Sequence, residues 1–440
     1  MEAEICALAP SDWQIRSVED VCKRVTSGGT PSRTRPDFYV DGSWPWVKTQ
    51  ELQDTWIDHT EEKITDEAVA NSSAKVLPPN TILLAMYGAT VGQLGILRSP
   101  MTCNQACCAM IVDSDKADFR YLYHHLRYSR TQLKSLATGA AQQNLSGALI
   151  KSLLYPFPPL AEQKAIASVL GALDDKIELN RRMNATLEAM ARALFHSWFV
   201  DFDPVRAKLD GRKPIGLDET TAALFPDSFQ ESSLGHVPKG WAVKPLSELC
   251  QLGRGASPRP INDFMNGEVP WVKIADATAA GGPFLFATKE KVKKAGAEKS
   301  VAVAPGDLIL SNSATCGVPM FVELHGCIHD GWLYFKNLRS ISKLYLFHVL
   351  IELAEHLVHI ADGSVQKNLN TNLVGQQVVL VPPKEIVDAF DSQATVWFAK
   401  MRQNGLESRT LAILRDTLLT KLLSGELQVA DVASKTATHL

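Results

Sequence analysis

No stretch of about 18 uninterrupted apolar residues occurs in the 440-residue chain, so a membrane-spanning helix is not expected. The N-terminus has no basic segment leading into an apolar core, so a secretory leader is not expected either. The expected location is the cytoplasm, with no membrane partner. The eight cysteines form no CxxC pair. Cys103-Asn-Gln-Ala-Cys107-Cys108 is their only cluster, and no further ligands follow at metal-binding spacing, so reduced, mostly buried thiols and no metal site are expected. Net charge is only −3, which gives no bulk argument for a polyanionic partner. Residues 201–235 alone hold seven acids against four bases, so the rest of the chain is neutral. A nucleic-acid surface would have to come from the distribution of charge.

Catalytic signatures are missing too. There is no G-x-x-x-x-G-K-[ST] phosphate loop, which excludes a motor on this chain. There is no [DN]-P-P-[FYW] tetrapeptide of the kind expected around a flipped base in an amino-methyltransferase, and Asp203-Pro204-Val205 is not one. The histidines, among them His124-His125 and His325…His329, sit in no H-E-x-x-H or nucleophile motif. No catalytic residue and no cofactor is assigned to the chain.

What the chain does contain is itself, twice. Pro45-Trp46-Val47-Lys48 returns as Pro270-Trp271-Val272-Lys273, and Ala89-Thr90-x-Gly92 as Ala314-Thr315-x-Gly317, both 225 residues on. Ala137-x-Gly139-x-x-Gln142-x-Asn144-Leu145 returns as Ala361-x-Gly363-x-x-Gln366-x-Asn368-Leu369, and Pro158-Pro159 as Pro382-Pro383, at 224. Each half opens with a turn-rich stretch holding short β-prone runs (Thr81–Met86, Cys107–Val112, Asp307–Ser311, Trp332–Phe335, Gln377–Val381). A helical stretch follows in each, Phe119–Ala137 and Lys343–Ala361. This predicts an α+β globular domain per half.

After each Pro-Pro comes a long apolar-striped helix. The first, about Ala161–Phe199, carries Ile166, Val169, Leu170, Leu173, Ile177, Met183, Leu187, Met190 and Leu194. The second, about Lys384–Leu423, carries Val387, Phe390, Trp397, Met401, Leu411, Leu414, Leu418 and Leu422, with Gly405 a local weak point. A helix of about 39 residues spans on the order of 58 Å and needs a partner for its stripe. We expect the two to pair as an antiparallel coiled coil through Ile177, Asn180, Leu187, Met401, Asn404 and Leu411. Asn180 and Asn404 would then meet on the seam; the alternative puts both at the exposed edge of the stripe.

The expected organisation is a first globular domain (1–158), a spacer helix (159–199) and an extended connector (200–237). A second globular domain (238–382), a second spacer helix (383–427) and a flexible tail (428–440) complete it. With the helices antiparallel, the two domains would sit apart on a rod, related by an approximate two-fold axis. Such a rod suits a ligand with two separated sub-sites, and duplex DNA is one. Because the halves differ in sequence, the site would be bipartite and asymmetric.

The whole chain resembles the specificity subunit of type I DNA restriction–modification systems. The resemblance rests on Pro158-Pro159-Leu160-Ala161-Glu162-Gln163, Ile166-Ala167-x-Val169-Leu170-x-x-Leu173-Asp174-x-Lys176-Ile177, and Leu194-Phe195-x-x-Trp198-Phe199-Val200-Asp201-Phe202-Asp203-Pro204. Phe225-Pro226-Asp227-Ser228-Phe229, Leu234-Gly235-x-Val237-Pro238-x-Gly240-Trp241 and the closing Leu418–Leu427 add to it. It implies that each globular domain is a target-recognition domain for half of a split DNA site. The helices would act as ruler and as dock for two adenine-methylating modification subunits, with restriction (motor-nuclease) subunits joining the assembly. S-adenosylmethionine, ATP and Mg²⁺ would belong to those partners.

Four places in each half carry the donors and acceptors that readout of double-stranded DNA needs. The first is a turn, Ser27-Gly28-Gly29-Thr30-Pro31-Ser32-Arg33, matched by Gly253-Arg254-Gly255-Ala256-Ser257-Pro258-Arg259. Its glycines would let the backbone approach phosphate; a plain surface turn is the alternative. The second follows the shared tryptophan: Lys48-Thr49-Gln50 and Lys273-Ile274-Ala275, with Trp46 and Trp271 expected in the core. The third is Tyr87-Gly88-Ala89-Thr90 and Asn312-Ser313-Ala314-Thr315. The fourth is Gln142-Gln143-Asn144 and Gln366-Lys367-Asn368; the alternative is that Asn144 and Asn368 only cap the next element. Two rival functions stand beside this one: an enzyme that methylates or cleaves DNA through an unrecognised motif, and a coiled-coil scaffold without a nucleic-acid role.

Overall fold

The structure is a computed structural model of the chain and describes residues 9–137, 144–313, 315–361 and 368–429. They fall into two compact units, Met1–Glu178 with Ser408–Leu440, and Leu179–Glu407.

In the first unit a five-stranded sheet runs in the order Cys22–Ser27, Cys107–Val112, Ile82–Ala85, Leu94–Leu97, Thr55–Ile57. All neighbours are antiparallel except the last, which lies parallel to Leu94–Leu97. Ile82–Ala85 is buried at every position, because both faces of the sheet are covered. Ile82 and Leu84 pack on one side with Trp13, Met110, Tyr121 and Leu170, while Leu83 and Ala85 pack on the other with Val47, Leu97 and Ala109. The period-two alternation of a strand thus serves two cores. A smaller sheet pairs Lys63–Ile64, Trp44–Val47 and Thr102–Cys103, and Gln14–Ser17 pairs with Leu154–Phe157.

The second unit repeats this plan. Its five-stranded sheet runs Gln251–Arg254, Trp332–Lys336, Asp307–Ser311, Pro319–Val322, Phe284–Leu285, again with only the last pair parallel. The smaller sheet gains one strand: Glu290–Val292, Met265–Val272, Gly326–Ile328, Val301–Val303. The shared motifs therefore mark a shared topology.

The helix expected over Phe119–Ala137 is two, Phe119–Tyr128 and Arg130–Leu136, meeting at Ser129. Asp118 caps the first by accepting from the N–H groups of Arg120 and Tyr121. Its counterpart in the second unit is one helix, Lys343–Ile360, capped by Ser342.

The long helices are Leu160–Phe199 and Lys384–Leu423, each of 40 residues. They pack together and run antiparallel. In the second unit the Asn180 amide donates to the Asn404 carbonyl (3.4 Å) and Asn184 to the Met401 carbonyl (3.2 Å), so numbers rise on one helix as they fall on the other. In the first unit Asp174 meets Arg415 at 2.7 Å. Asn180 and Asn404 are both fully buried, which disposes of the exposed-edge alternative. Met401 is buried too, and Ile177, Leu187 and Leu411 are half-buried. Met190 and Leu414, counted on the stripes, are exposed. A straight helix drifts about 20° per heptad from a strict seven-residue repeat, so positions far along the stripe leave the seam; Ala191 and Phe195 are buried in place of Met190. Gly405 has a packing reason, since a Cβ there would lie 2.4 Å from the Phe286 ring.

The connector expected to be extended is folded. It contains helices Asp203–Leu209 and Glu219–Leu224 and a hairpin, Phe229–Ser232 with Gly235–Pro238. Asp218 caps the second of these helices. Val205, Phe225, Val237 and Trp241 are buried with Trp198 and Phe199. The prolines and glycines that suggested an open strap are turn residues between these anchors.

Candidate nucleic-acid interface

Three of the four candidate places meet on a turn that sequence reasoning passed over, and the fourth joins through the third; the turn is Asn104-Gln105-Ala106 in the first unit and His329-Asp330-Gly331 in the second. The same main-chain bonds gather them in both. For the first place, Gly28 N–H donates to the Cys107 carbonyl (3.2 Å) and Gly29 N–H to that of Cys103 (2.9 Å). The equivalents are Gly255 to Trp332 (2.8 Å) and Ala256 to Ile328 (3.2 Å). For the second, Asn104 N–H donates to the Val47 carbonyl (2.9 Å) and His329 N–H to that of Val272 (3.3 Å). For the third, Met86 N–H donates to Ala106 (2.8 Å) and Asn312 N–H to Gly331 (2.9 Å). The fourth joins through Leu145 N–H to Met86 (2.9 Å) and Leu369 N–H to Asn312 (2.8 Å), with isolated bridges Tyr87–Asn144 and Ser313–Asn368. Gln142, Gln143, Gln366 and Lys367 lie outside the described residues, as does Ala314.

These bonds correct the register of the first place. Gly28 corresponds to Gly255 and Thr30 to Ser257, so Arg33 stands opposite Pro260. Arg254 and Arg259 stand opposite Ser27 and Ser32. The glycines also have a different reason from the one expected. A Cβ on Gly28 would lie 2.2 Å from the Cys103 carbonyl oxygen, and one on Gly29 2.2 Å from the Ala74 nitrogen. Gly255 is held likewise, 2.1 Å from the His329 oxygen. The close approach is to the protein's own backbone, which fixes the turn.

The side chains divide into those the fold holds and those it presents. Lys48 is only 17% exposed, with its ammonium on Glu61 (2.6 Å) and Glu62 (3.0 Å). Those bonds push its pKa up. Arg33 shares Glu62 at 2.7 Å and lies over the Tyr39 ring at 4.2 Å, so the first two places are joined by one carboxylate. The Arg33 bond holds Glu62 below the usual carboxylate range. Lys273 pairs with Glu290 at 2.7 Å. The N–H groups of Lys48 and Lys273 donate to Glu51 and Asp276, which cap the following short helices over Thr49–Glu51 and Ile274–Ala280. Thr49 is half-buried and Gln50 exposed. Trp46 and Trp271 are buried.

Tyr87 is exposed and borders an open depression of about 510 Å³ with Leu136, Asn144 and Leu149. Thr90 turns its hydroxyl back to the Tyr87 carbonyl, and Thr315 is exposed. Asn312 is fully buried and donates to the Asp330 carbonyl at 3.1 Å, so it supports the turn from beneath. Asn144 and Asn368 are exposed and cap nothing; Ser146 and Asn370 cap the next helices.

Among the described residues no group of three His, Cys, Asp or Glu side chains is placed to hold a metal ion. Seven cysteines are buried free thiols, and burial pushes those of Cys22 and Cys108 up to about 12. No described helix is long and apolar enough to cross a membrane.

The family model for the type I restriction modification DNA specificity domain matches twice, over residues 10–189 and 238–396. The chain belongs to that family. Its two matches correspond to the two sequence repeats. The MjaIX type I restriction enzyme specificity subunit of Methanocaldococcus jannaschii is 27% identical over 437 residues, covering 96% of this chain and 95% of the relative. The HindI specificity subunit of Haemophilus influenzae is 30% identical over 63% of this chain and 70% of its own length. The crystal structure of a type I restriction–modification S subunit from M. genitalium matches at a TM-score of 0.56 and 17% identity, over 93% of this chain and 96% of that one, and shows the shared fold.

Proposed function

We propose that this member of the family is the DNA-addressing subunit of a type I restriction–modification complex, with no chemistry of its own. Residues 1–158 and 238–382 act as two target-recognition domains, each reading one half of a bipartite, asymmetric site. The spacer helices, 159–199 and 383–427, set the gap and dock two modification subunits, to which restriction subunits add. S-adenosylmethionine, ATP and Mg²⁺ are used by those partners in the cytoplasm.

The observation that carries this reading is the repeated turn. In both units the same main-chain bonds collect three polar segments around Asn104–Ala106 and His329–Gly331 and tie Asn144–Leu145 and Asn368–Leu369 to the third, while the side chains displayed there differ. A common scaffold with divergent displayed groups is what two readers of different sequences require. Arg33, Gln50, Tyr87, Thr90, Asn144, Arg254, Arg259, Thr315 and Asn368 are the groups placed to reach DNA. Gly28, Gly29, Thr30, Lys48, Thr49, Lys273 and Asn312 hold the surface in shape.

The test is co-expression with type I modification subunits and mapping of methylated adenines across the host genome. The expected result is one two-part sequence with a fixed gap. The purified chain alone, given DNA, S-adenosylmethionine and Mg²⁺, should neither methylate nor cleave; activity by the chain alone would favour an enzyme. A scaffold without a DNA role would show no binding that weakens steeply with salt.

A further inference from the structure

The two turns differ by a concerted exchange of charge. At their tips the first unit carries Gln105 and the second Asp330. In the first unit the flanking positions are Ser27 and Ser32; in the second they are Arg254 and Arg259. Three equivalent positions are thus neutral in one unit and charged in the other. The charged set is bonded together. Arg254 Nε donates to the Asp330 carbonyl at 2.7 Å, and Arg259 approaches the Asp330 carboxylate at 3.5 Å. Ser257 donates to the same carboxylate at 2.7 Å, and its counterpart Thr30 bonds to Gln105. Asn312 fixes the Asp330 main chain from below, and His329 Nδ1 lies 3.4 Å from its carboxylate.

Both arginines are exposed, Arg259 at 76% of its side chain. An acidic side chain here serves no buried charge, since the guanidinium groups need no neutralisation in water. The Asp330 carboxylate draws in Arg259 while its main-chain carbonyl takes Arg254, so two long, rotamer-rich side chains are gathered to one patch of surface on the turn. A guanidinium held in a fixed direction presents its fork of N–H donors ready for a two-acceptor edge, and the fork is what distinguishes Arg from Lys. In the DNA major groove guanine offers such an edge, O6 with N7.

Resting on the reading of the chain as a DNA reader, we infer that Asp330 is a specificity-determining positioning residue. Its carboxylate holds Arg259, beside the Arg254 that its main-chain carbonyl fixes, for the O6/N7 edge of guanine in the half-site read by the second unit. The first unit, with Ser27, Ser32 and Gln105, lacks this guanine arm. The chemistry shared with the alternative source, a phosphate oxygen pair, is acceptance of two N–H bonds, and lysine separates the two. A lysine keeps the charge that phosphate needs and loses the fork that guanine needs.

The experiment selects bound duplexes from a randomised library with the full-length chain co-expressed with type I modification subunits. Wild type is compared with Asp330→Asn and with Arg254→Lys/Arg259→Lys. Wild type is expected to recover a two-part sequence with guanine in one part. Both variants should lower the preference for that guanine about tenfold or more and leave the other part unchanged. The unchanged part shows that the variants are folded. The inference is overturned if both variants recover the wild-type sequence, or if the lysine variant keeps the guanine preference, the mark of a phosphate contact. It is also overturned if neither part of the wild-type sequence requires guanine. If wild type itself enriches no sequence, the DNA-reading proposal fails and this inference falls with it. A wild-type two-part sequence that survives Asp330→Asn unchanged removes this inference alone.

Discussion

Asn404 donates from its side-chain amide to the Asn184 oxygen at 2.9 Å, while its own main-chain oxygen receives the Asn180 amide at 3.4 Å. These bonds lie between the two long helices with Met401 beside them, and Asn180 and Asn404 are buried. An asparagine on such a seam lowers stability relative to leucine and fixes which residues face each other.

Asn404→Ala should therefore cost about 1 kcal/mol, because it leaves the half-buried Asn184 oxygen without this donor. A urea titration of Asn184→Ala, Asn404→Ala and the double variant should show coupling of at least about 0.5 kcal/mol. Additive effects would mean that the two asparagines act independently.

The first unit holds its helix pair by charge. Asp174 meets Arg415 at 2.7 Å and Arg127 at 3.1 Å, and neither guanidinium is more than 16% exposed. The arginines come from different helices, so the carboxylate ties the globular part to both long ones. Asp174→Ala leaves two nearly buried cations facing each other and should cost about 3 kcal/mol in denaturant unfolding. A loss under 1 kcal/mol would show that solvent already screens the cluster.

Three buried histidines set an acid limit. Burial pushes His124 and His125 down to about 3 and His348 down to about 4. The ordinary value of about 6.5 applies in the unfolded chain. Above pH 6.5 all are neutral in both states. Below it the unfolded chain takes up protons first, so stability falls with pH down to about 4 for His348 and 3 for the others. His348 stacks on Phe195 at 5.2 Å, so His348→Phe keeps the ring packing. The variant should lose one proton from the slope of unfolding free energy between pH 6.5 and 4, read from urea midpoints. Parallel profiles for variant and wild type would refute the assignment.

Presented and held basic residues should behave differently toward DNA. Arg259→Ala should weaken binding to the selected duplex about tenfold and relax the preference for guanine in that half-site. Lys48→Ala removes an ammonium already committed to Glu61 and Glu62, so its salt slope should stay near wild type. A slope lowered by about one in Lys48→Ala would show that Lys48 leaves its carboxylates for phosphate.

The elements with strong periodicity were legible in the sequence. Cys107–Val112, Asp307–Ser311 and Lys384–Leu423 have the predicted bounds, because continuous apolar strands and a long unbroken stripe leave few alternatives. The connector was not, since Phe225, Val237 and Trp241 are isolated anchors whose partners lie far away in sequence. The turn at Asn104 and His329 was missed for the same reason. Its importance lies in main-chain bonds to residues 19 to 57 positions away, which no local pattern announces. A signal was present in the one place dismissed as metal-free, the polar interruption Asn104-Gln105 inside an apolar run. The match of Arg33 to Arg259 failed because spacing inside a turn can slip by one residue while the hydrogen-bonded register holds.

The most direct test of the central claim, that each repeat reads its own half of a divided DNA site, is an exchange of recognition segments. Residues 10–150 are replaced by the equivalent segment of a relative with a known target, and methylated adenines are mapped after co-expression with modification subunits. The account predicts that one half of the recognised sequence becomes the relative's while the other half and the gap stay as they were. A change in both halves, or in neither, would contradict it.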